Sequence, residues 1–204
     1  MKLDKDSEIE FCQEYKYVGV IFDTSGTGNK EIRSRVIQAR KCTEFLNEIL
    51  WSEDIRKERN LNIYNALIKK SLFYGSETWR RTENNKRRVE ATEMDGLRRS
   101  SRISRKERIR NVTLRQQIEL EELIIKEIEQ NQLTWYSHVQ RMAEGRLPKI
   151  ALKWMPKQKR TRGRPKKNWM EGIRKAMNER NLNEGQWEDR KQWSLGVGQR
   201  RTTF

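Results

Sequence analysis

From Glu8 to Phe22 apolar and polar residues alternate with the period of two that marks a β-strand. Ile9 and Phe11 sit among charged neighbours, and Tyr15-Lys16-Tyr17 carries the alternation into the apolar run Val18-Gly19-Val20-Ile21-Phe22. A glycine inside such a run points to a bulge or a close backbone approach. Thr24-Ser25-Gly26-Thr27-Gly28-Asn29 is a turn cluster that ends the strand and can cap the next element. The period then becomes helical. From Lys30 to Leu50, Ile32, Val36, Ala39, Leu46 and Ile49/Leu50 share one face, with Arg33, Arg35, Arg40 and Lys41 elsewhere. A second helix is predicted from about Asp54 to Phe73, with Ile55, Leu61, Tyr64, Leu67/Ile68 and Leu72 inward, broken by Tyr74-Gly75-Ser76. A third, from about Asn84 to Arg99, has only Val89, Met94 and Leu97 as sizeable anchors.

Thr113 and Gln116 have capping-box spacing and open the strongest helical pattern of the chain: Ile118, Leu123, Ile124/Ile125, Ile128 and Leu133, continuing through Trp135–Met142 and stopping near Gly145–Pro148. The run 155–167 reads as a linker, and a last helix from about Asn168 to Arg180 places Trp169, Ile173 and Met177 at i, i+4 and i+8. Trp187 and Trp193 follow in the tail, and no internal repeat is visible. The expected fold is mainly α: a short N-terminal β-hairpin within residues 1–29, a helical bundle over 30–100, and a basic helical extension over 101–204.

Composition changes this picture in two ways. At 34% apolar and 36% charged, the core is thinner and the helix faces more solvated than in an ordinary domain, where charged residues make up about a quarter. The net charge of +16 is also uneven: residues 1–79 are neutral, 80–115 carry +8, 116–147 carry −3 and 148–204 carry +11. Two basic blocks flank an acidic helical stretch. Each is dense enough to attract a polyanion by counterion release, with nucleic acid the usual target. An anionic membrane fits less well, because the densest run, Lys157–Lys167, is broken by glycine and proline. No stretch approaches a membrane span or the apolar core of a signal peptide, so a cytosolic or nuclear location is expected. Cys12 and Cys42 are too few for a disulfide framework or a zinc site.

Candidate chemistry is sparse. The acidic pairs Glu53-Asp54, Glu121-Glu122 and Glu188-Asp189 are neighbours in sequence, and on a helix adjacent side chains diverge, so none makes a two-metal site alone. His138 is the sole histidine, which excludes a histidine-pair metal site, and it reads best as a helix-surface or phosphate-contacting residue. No phosphate-binding glycine loop and no small-molecule substrate site is evident. The nucleic-acid signals are stronger. Arg162-Gly163-Arg164-Pro165 lies between Lys159/Arg160 and Lys166/Lys167. Glycine lets the backbone lie close to a groove floor, proline holds it extended, and two arginines can reach a narrow minor groove. It resembles the core of an AT-hook, and a basic linker touching phosphates is the plainer reading. Arg98, Arg99, Arg102, Arg105 and Lys106 form a second block without that punctuation and read as backbone contacts. Most of the seven tryptophans are expected to be core anchors rather than base-stacking residues.

Taken in order, these segments are similar to non-LTR retrotransposon reverse transcriptases. Tyr15-Lys16-Tyr17-Val18-Gly19-Val20 resembles the family's "F-x-Y-L-G" segment. Ile32–Ala39, Tyr74-Gly75-Ser76-Glu77-Thr78-Trp79 and Met94–Arg99 (like "M-x-x-L-R-R") follow in the family's order. So do Trp135–Met142, like "W-x-G-H-V-x-R-M", and Arg162–Trp169, like "R-G-R-P-x-x-x-W". Ser137 stands where that pattern has glycine and Val18 where it has leucine. The resemblance implies that residues 1–29 end a palm in a primer-grip hairpin, with Tyr15, Tyr17 and Gly19 near the primer. It further implies that 30–100 form a thumb domain and 101–204 an extension contacting RNA or target DNA, with His138 and Arg141 among its contacts. The family is an RNA-directed DNA polymerase carrying an endonuclease. Its paired catalytic aspartates would lie upstream of residue 8, so this chain is expected to bind nucleic acid, to need no cofactor, and not to polymerise alone. Mg²⁺ belongs to the full-length polymerase, and an intact copy of that polymerase is a further candidate partner. Two readings of other kinds stand beside this one: a free-standing AT-hook-like architectural protein, and an inert relic whose thin core never folds stably.

Overall fold

Helices preceded by a single antiparallel hairpin make up the computed structural model, which describes residues 11–80, 82–120, 123–154 and 168–198. Strands β1 (Glu14–Tyr17) and β2 (Val20–Asp23) pair with Tyr15 opposite Phe22 and Tyr17 opposite Val20. The apolar run from Val18 is therefore not one strand. Val18 and Gly19 form its two-residue corner, at φ +47° and +80°, the positive pair of a type I′ turn whose twist matches the flanking strands. Gly19 adopts this freely, and β-branched Val18 does so against a steric cost of about 1–2 kcal/mol. The glycine marks a turn, not a bulge.

The helical stripe predicted over Lys30–Leu50 is present as α1 (Asn29–Phe45) and α2 (Asn47–Trp51), which meet at Leu46. Ile32, Val36, Ala39, Leu46 and Leu50 are buried and Ile49 is exposed. Arg35, expected off the apolar face, is buried beside Glu31. Next comes one continuous rod: α3 (Lys57–Ile63), a π-helical stretch Tyr64–Lys69, and α4 (Lys70–Phe73). It turns Tyr64, Ile68 and Leu72 inward. Helix α5 (Glu83–Ser100) starts at Thr82, whose hydroxyl accepts from the Asn85 N–H, and buries Val89, Met94 and Leu97. At Gly96 an added Cβ would stand 2.9 Å from the Tyr64 ring, so glycine here is what lets the rod approach α5.

The long helix expected from Thr113 is two helices, α6 (Asn111–Gln117) and α7 (Ile124–Gln140), and Thr113 lies inside α6 rather than at its cap. The break has a definite mechanism. Glu119 takes a left-handed φ of +52°, its N–H reaches Gln116 O, and Leu120 N–H reaches Arg115 O. This is a Schellman end, in which a left-handed residue satisfies the last carbonyls and an apolar residue follows. Arg102-Ile103 closes α5 and Asn181-Leu182 closes a later helix in the same way. None of the three uses glycine, so the usual sequence signal is missing. The chain continues with α8 (Leu147–Lys153), α9 (Trp169–Asn178) and α10 (Arg190–Gly198).

Two hydrophobic cores result. The first gathers the apolar faces of α1–α6 with Ile124 and Ile128 from the front of α7. The second joins Leu133 and Tyr136 from the same helix to Ile173, Met177, Leu182, Trp193 and Val197, with Trp169 and Trp187 against it. Helix α7 thus belongs to both. Buried Gln132, between its two apolar halves, donates to the carbonyls of Ser76 (3.1 Å) and Trp79 (2.9 Å).

Candidate nucleic-acid interface

Among the described residues the hairpin is held from one side. Glu31 on α1 accepts the Ile21 N–H at 2.7 Å with one oxygen and Arg35 Nε at 2.5 Å with the other. Arg35 also donates to Gly19 O, and its guanidinium lies 4.5 Å from the centre of the Tyr74 ring. The Tyr74 hydroxyl donates to Val18 O at 2.6 Å. An ion pair this buried is stable when its remaining polar atoms are also bonded, and here the hairpin corner supplies the acceptors. The Gly19 of the motif is thus a clamped carbonyl, not an open surface.

Among the described residues nothing covers the opposite face of the hairpin. Tyr15, Tyr17 and Phe22 are 58%, 60% and 56% exposed, and the two tyrosine rings run nearly parallel with centres 6.4 Å apart. Beside the hairpin, Lys30, Arg33, Ile37 and Lys41 form a solvent-facing line along α1, and with Glu14 and Ile21 they border a shallow groove. Lys30 bridges to Glu14 at 2.8 Å, and that bond raises the lysine pKa. The net charge of residues 1–79 conceals this line, because it sums the line with acids exposed elsewhere, Glu44, Glu48, Glu53, Asp54 and Glu58 among them. The i, i+3, i+7, i+11 spacing was the available signal.

In the block 98–106 the arginines are engaged within the protein. Arg98 donates to Ile109 O and to Asn111 Oδ1. Arg99 reaches Asn47 Oδ1 (2.6 Å) and Asp95 (3.4 Å), and Arg102 donates to Ile55 O. Arg105 pairs with Asp95 at 2.7 Å from an exposed position, and Lys106 is exposed. A guanidinium carries five donors in a fixed fork, so one side chain can tie a loop and still present N–H groups outward. His138 is exposed on α7, whereas Arg141 donates to Trp187 O at 2.6 Å. Lys159, Arg160, Arg162, Gly163, Arg164, Pro165, Lys166 and Lys167 lie outside the described residues.

Glu53, Asp54, Glu188 and Asp189 are exposed, and Glu121-Glu122 lies outside the described residues. Among the described residues no three His, Cys, Asp or Glu side chains come together. No helix among them is long and apolar enough to cross a membrane. Of the tryptophans, Trp79 and Trp193 are buried and Trp135, Trp169 and Trp187 are half-buried in ring-to-ring contacts. Trp51 and Trp154 are exposed.

No protein-family model matches the chain, and no solved structure matches it. It is 28% identical over 209 aligned residues to an uncharacterized transposon-derived protein of Caenorhabditis elegans, covering 97% of this chain and 74% of that protein. The chain is therefore similar, over nearly its whole length, to a protein of transposon origin.

Proposed function

We propose that this chain is the primer-grip, thumb and C-terminal part of a non-LTR retroelement reverse transcriptase, and that it binds RNA, DNA or their hybrid without polymerising by itself. The observation that carries the reading is at the hairpin. The segment resembling the family's primer-holding motif presents Tyr15 and Tyr17 outward. The clamp of Glu31, Arg35 and Tyr74 fixes that hairpin beside the basic line of α1. The order of the remaining motifs and the transposon-derived relative support the same origin. The binding surface comprises the hairpin face, the Lys30–Lys41 line, the exposed members of the 98–106 block and the segment Lys157–Lys167. Cations at several of these places neutralise phosphates, so affinity falls steeply with salt.

The test is titration with an RNA–DNA hybrid, structured RNA and AT-rich duplex DNA at two salt concentrations, with a primer-extension assay in Mg²⁺ and dNTPs. The expected result is salt-sensitive binding that favours hybrid or structured RNA, with no extension. Robust extension by this chain alone would overturn the non-polymerising assignment, and salt-insensitive binding would overturn the phosphate-contact surface. A preference for AT-rich duplex that disappears in Arg164→Ala would instead identify an architectural DNA-binding protein.

A further inference from the structure

The basic line of α1 begins at a lysine that already holds an anion. Lys30 Nζ donates to Glu14 at 2.8 Å, and the two side chains are 55% and 48% exposed. Further along the line Arg33 and Lys41 are exposed and have no acidic partner among the described residues. The pair joins β1 to α1 beside the groove that Ile21 and Ile37 border. Each of its charges is poorly placed alone. Glu14 stands opposite Asp23 in the hairpin, and like charges directly across a strand pair repel. Asp23 is fixed there by the Ser25 N–H, at 2.7 Å, and the Ser25 hydroxyl. Lys30 lies in the first turn of α1, where the positive end of the helix dipole disfavours a cation and favours an anion. The bond to Glu14 and the charge of that carboxylate raise the lysine pKa, and Asp23 adds a smaller push.

A half-exposed pair of this kind adds little to stability, because solvent screens it. Its effect is on the charge that the groove presents. A nucleic-acid backbone binds where cations neutralise its phosphates and release their counterions. An ammonium has three donors, but with Glu14 beside it the pair is neutral and neutralises no phosphate. We propose that Glu14 is a built-in phosphate substitute, which occupies Lys30, shortens the working basic line to Arg33 and Lys41, and so restrains the affinity of this face for nucleic acid. This rests on the nucleic-acid-binding reading above and adds a brake to the same surface.

The full chain, Glu14→Gln, the double variant Glu14→Gln/Lys30→Gln, Lys41→Gln and Glu44→Gln are titrated with an RNA–DNA hybrid and a structured RNA across a salt series. Glu14→Gln frees one cation, so it is expected to bind more tightly and to steepen the slope of log affinity against log salt by about 0.7–0.9. Its advantage over the wild type then grows about 3-fold as salt falls from about 200 to 50 mM. The double variant returns to the wild-type slope. Glu44→Gln, which removes an exposed acid near the other end of α1, keeps that slope, and Lys41→Gln flattens it. A wild-type chain that binds neither probe would overturn the nucleic-acid reading and this assignment together. Binding that Lys41→Gln leaves unchanged takes the α1 line out of the surface and overturns the assignment as well. If Lys41→Gln does flatten the slope, the brake alone is overturned by Glu14→Gln with wild-type affinity and slope, by a steeper slope that survives in the double variant, or by an equal gain in Glu44→Gln.

Discussion

The two cores solve the same shortage of apolar residues differently. The first is mainly aliphatic, assembled from ridges of Ile, Leu and Val on several helices around Tyr64. The second has fewer segments and fills its volume with rings: Trp169, Tyr136, Trp187 and Trp193 form a chain of tilted and edge contacts with centres 5.7–6.3 Å apart. Each aromatic side chain buries more surface than an aliphatic one, so a short set of elements can close. Both regions finish with a buried arginine. Arg35 pairs with Glu31 and holds the hairpin corner, and Arg180 pairs with Glu129 (3.3 Å) while its Nε donates to Val197 O (3.1 Å) at the end of α10. The lesson is that in a charge-rich chain some of the charge is structural. An arginine that satisfies a carbonyl and a carboxylate at once closes a loop or helix end that no apolar residue reaches.

The sharpest test of this contrast is a pair of variants. Glu31→Ala leaves Arg35 buried without its carboxylate, and Trp193→Ala removes a ring from the second core. Each is expected to cost about 3–5 kcal/mol, measured by urea unfolding. Hydrogen exchange should place the first loss at the hairpin and the second at α9 and α10, and the same residues losing protection in both would break the two-core description. Next in size is Gln132→Ala, which leaves the Trp79 carbonyl without its side-chain donor and the Ser76 carbonyl with only the Trp79 N–H, at about 1–3 kcal/mol. Because Gln132 lies between the two apolar halves of α7, the variant should split a single melting transition into two, and calorimetry decides it.

A third prediction concerns Glu93, which is buried on α5, pairs with Arg115 at 3.2 Å and accepts the Ile124 N–H at the start of α7. Burial raises its pKa above the ordinary value of 4.5, and Arg115 opposes that rise. A carboxyl with a raised folded pKa gives stability that is fully present below the unfolded pKa and is lost as pH climbs through the folded one. Glu93→Gln lacks this slope. Its Tm relative to wild type should therefore rise between pH 4 and pH 7, and a difference that is flat or falling would contradict the burial effect. Smallest is Glu119→Gly, which relieves the left-handed φ at the end of α6 and should stabilise by about 0.5–1 kcal/mol.

The inward stripes of α1, the α3–α4 rod, α5 and α7 were legible because each repeats at helical spacing over several turns, so that neighbours could not relocate it. The hairpin corner was partly legible, since Gly19 signalled an irregularity but not its kind. The break at 118–123 was hidden: Glu119 does not announce a left-handed residue, and only the apolar Leu120 after it hinted at the Schellman end. At the candidate site, Tyr15 and Tyr17 were legible as a motif. The α1 basic line was masked by summed charge, and α8 was missed because the helical pattern was read as stopping near Gly145–Pro148.

The sequence by itself determined a helical chain behind a hairpin, with net charge enough to draw a polyanion, because periodicity and charge are local properties of the residues. The tertiary structure decided which charges remain outside. Two arginines of one helix look alike in sequence, yet Arg33 meets solvent and Arg35 meets Glu31, Tyr74 and the Gly19 carbonyl. Only the packing of distant segments fixes that difference, since a buried charge persists only where partners from elsewhere in the chain surround it.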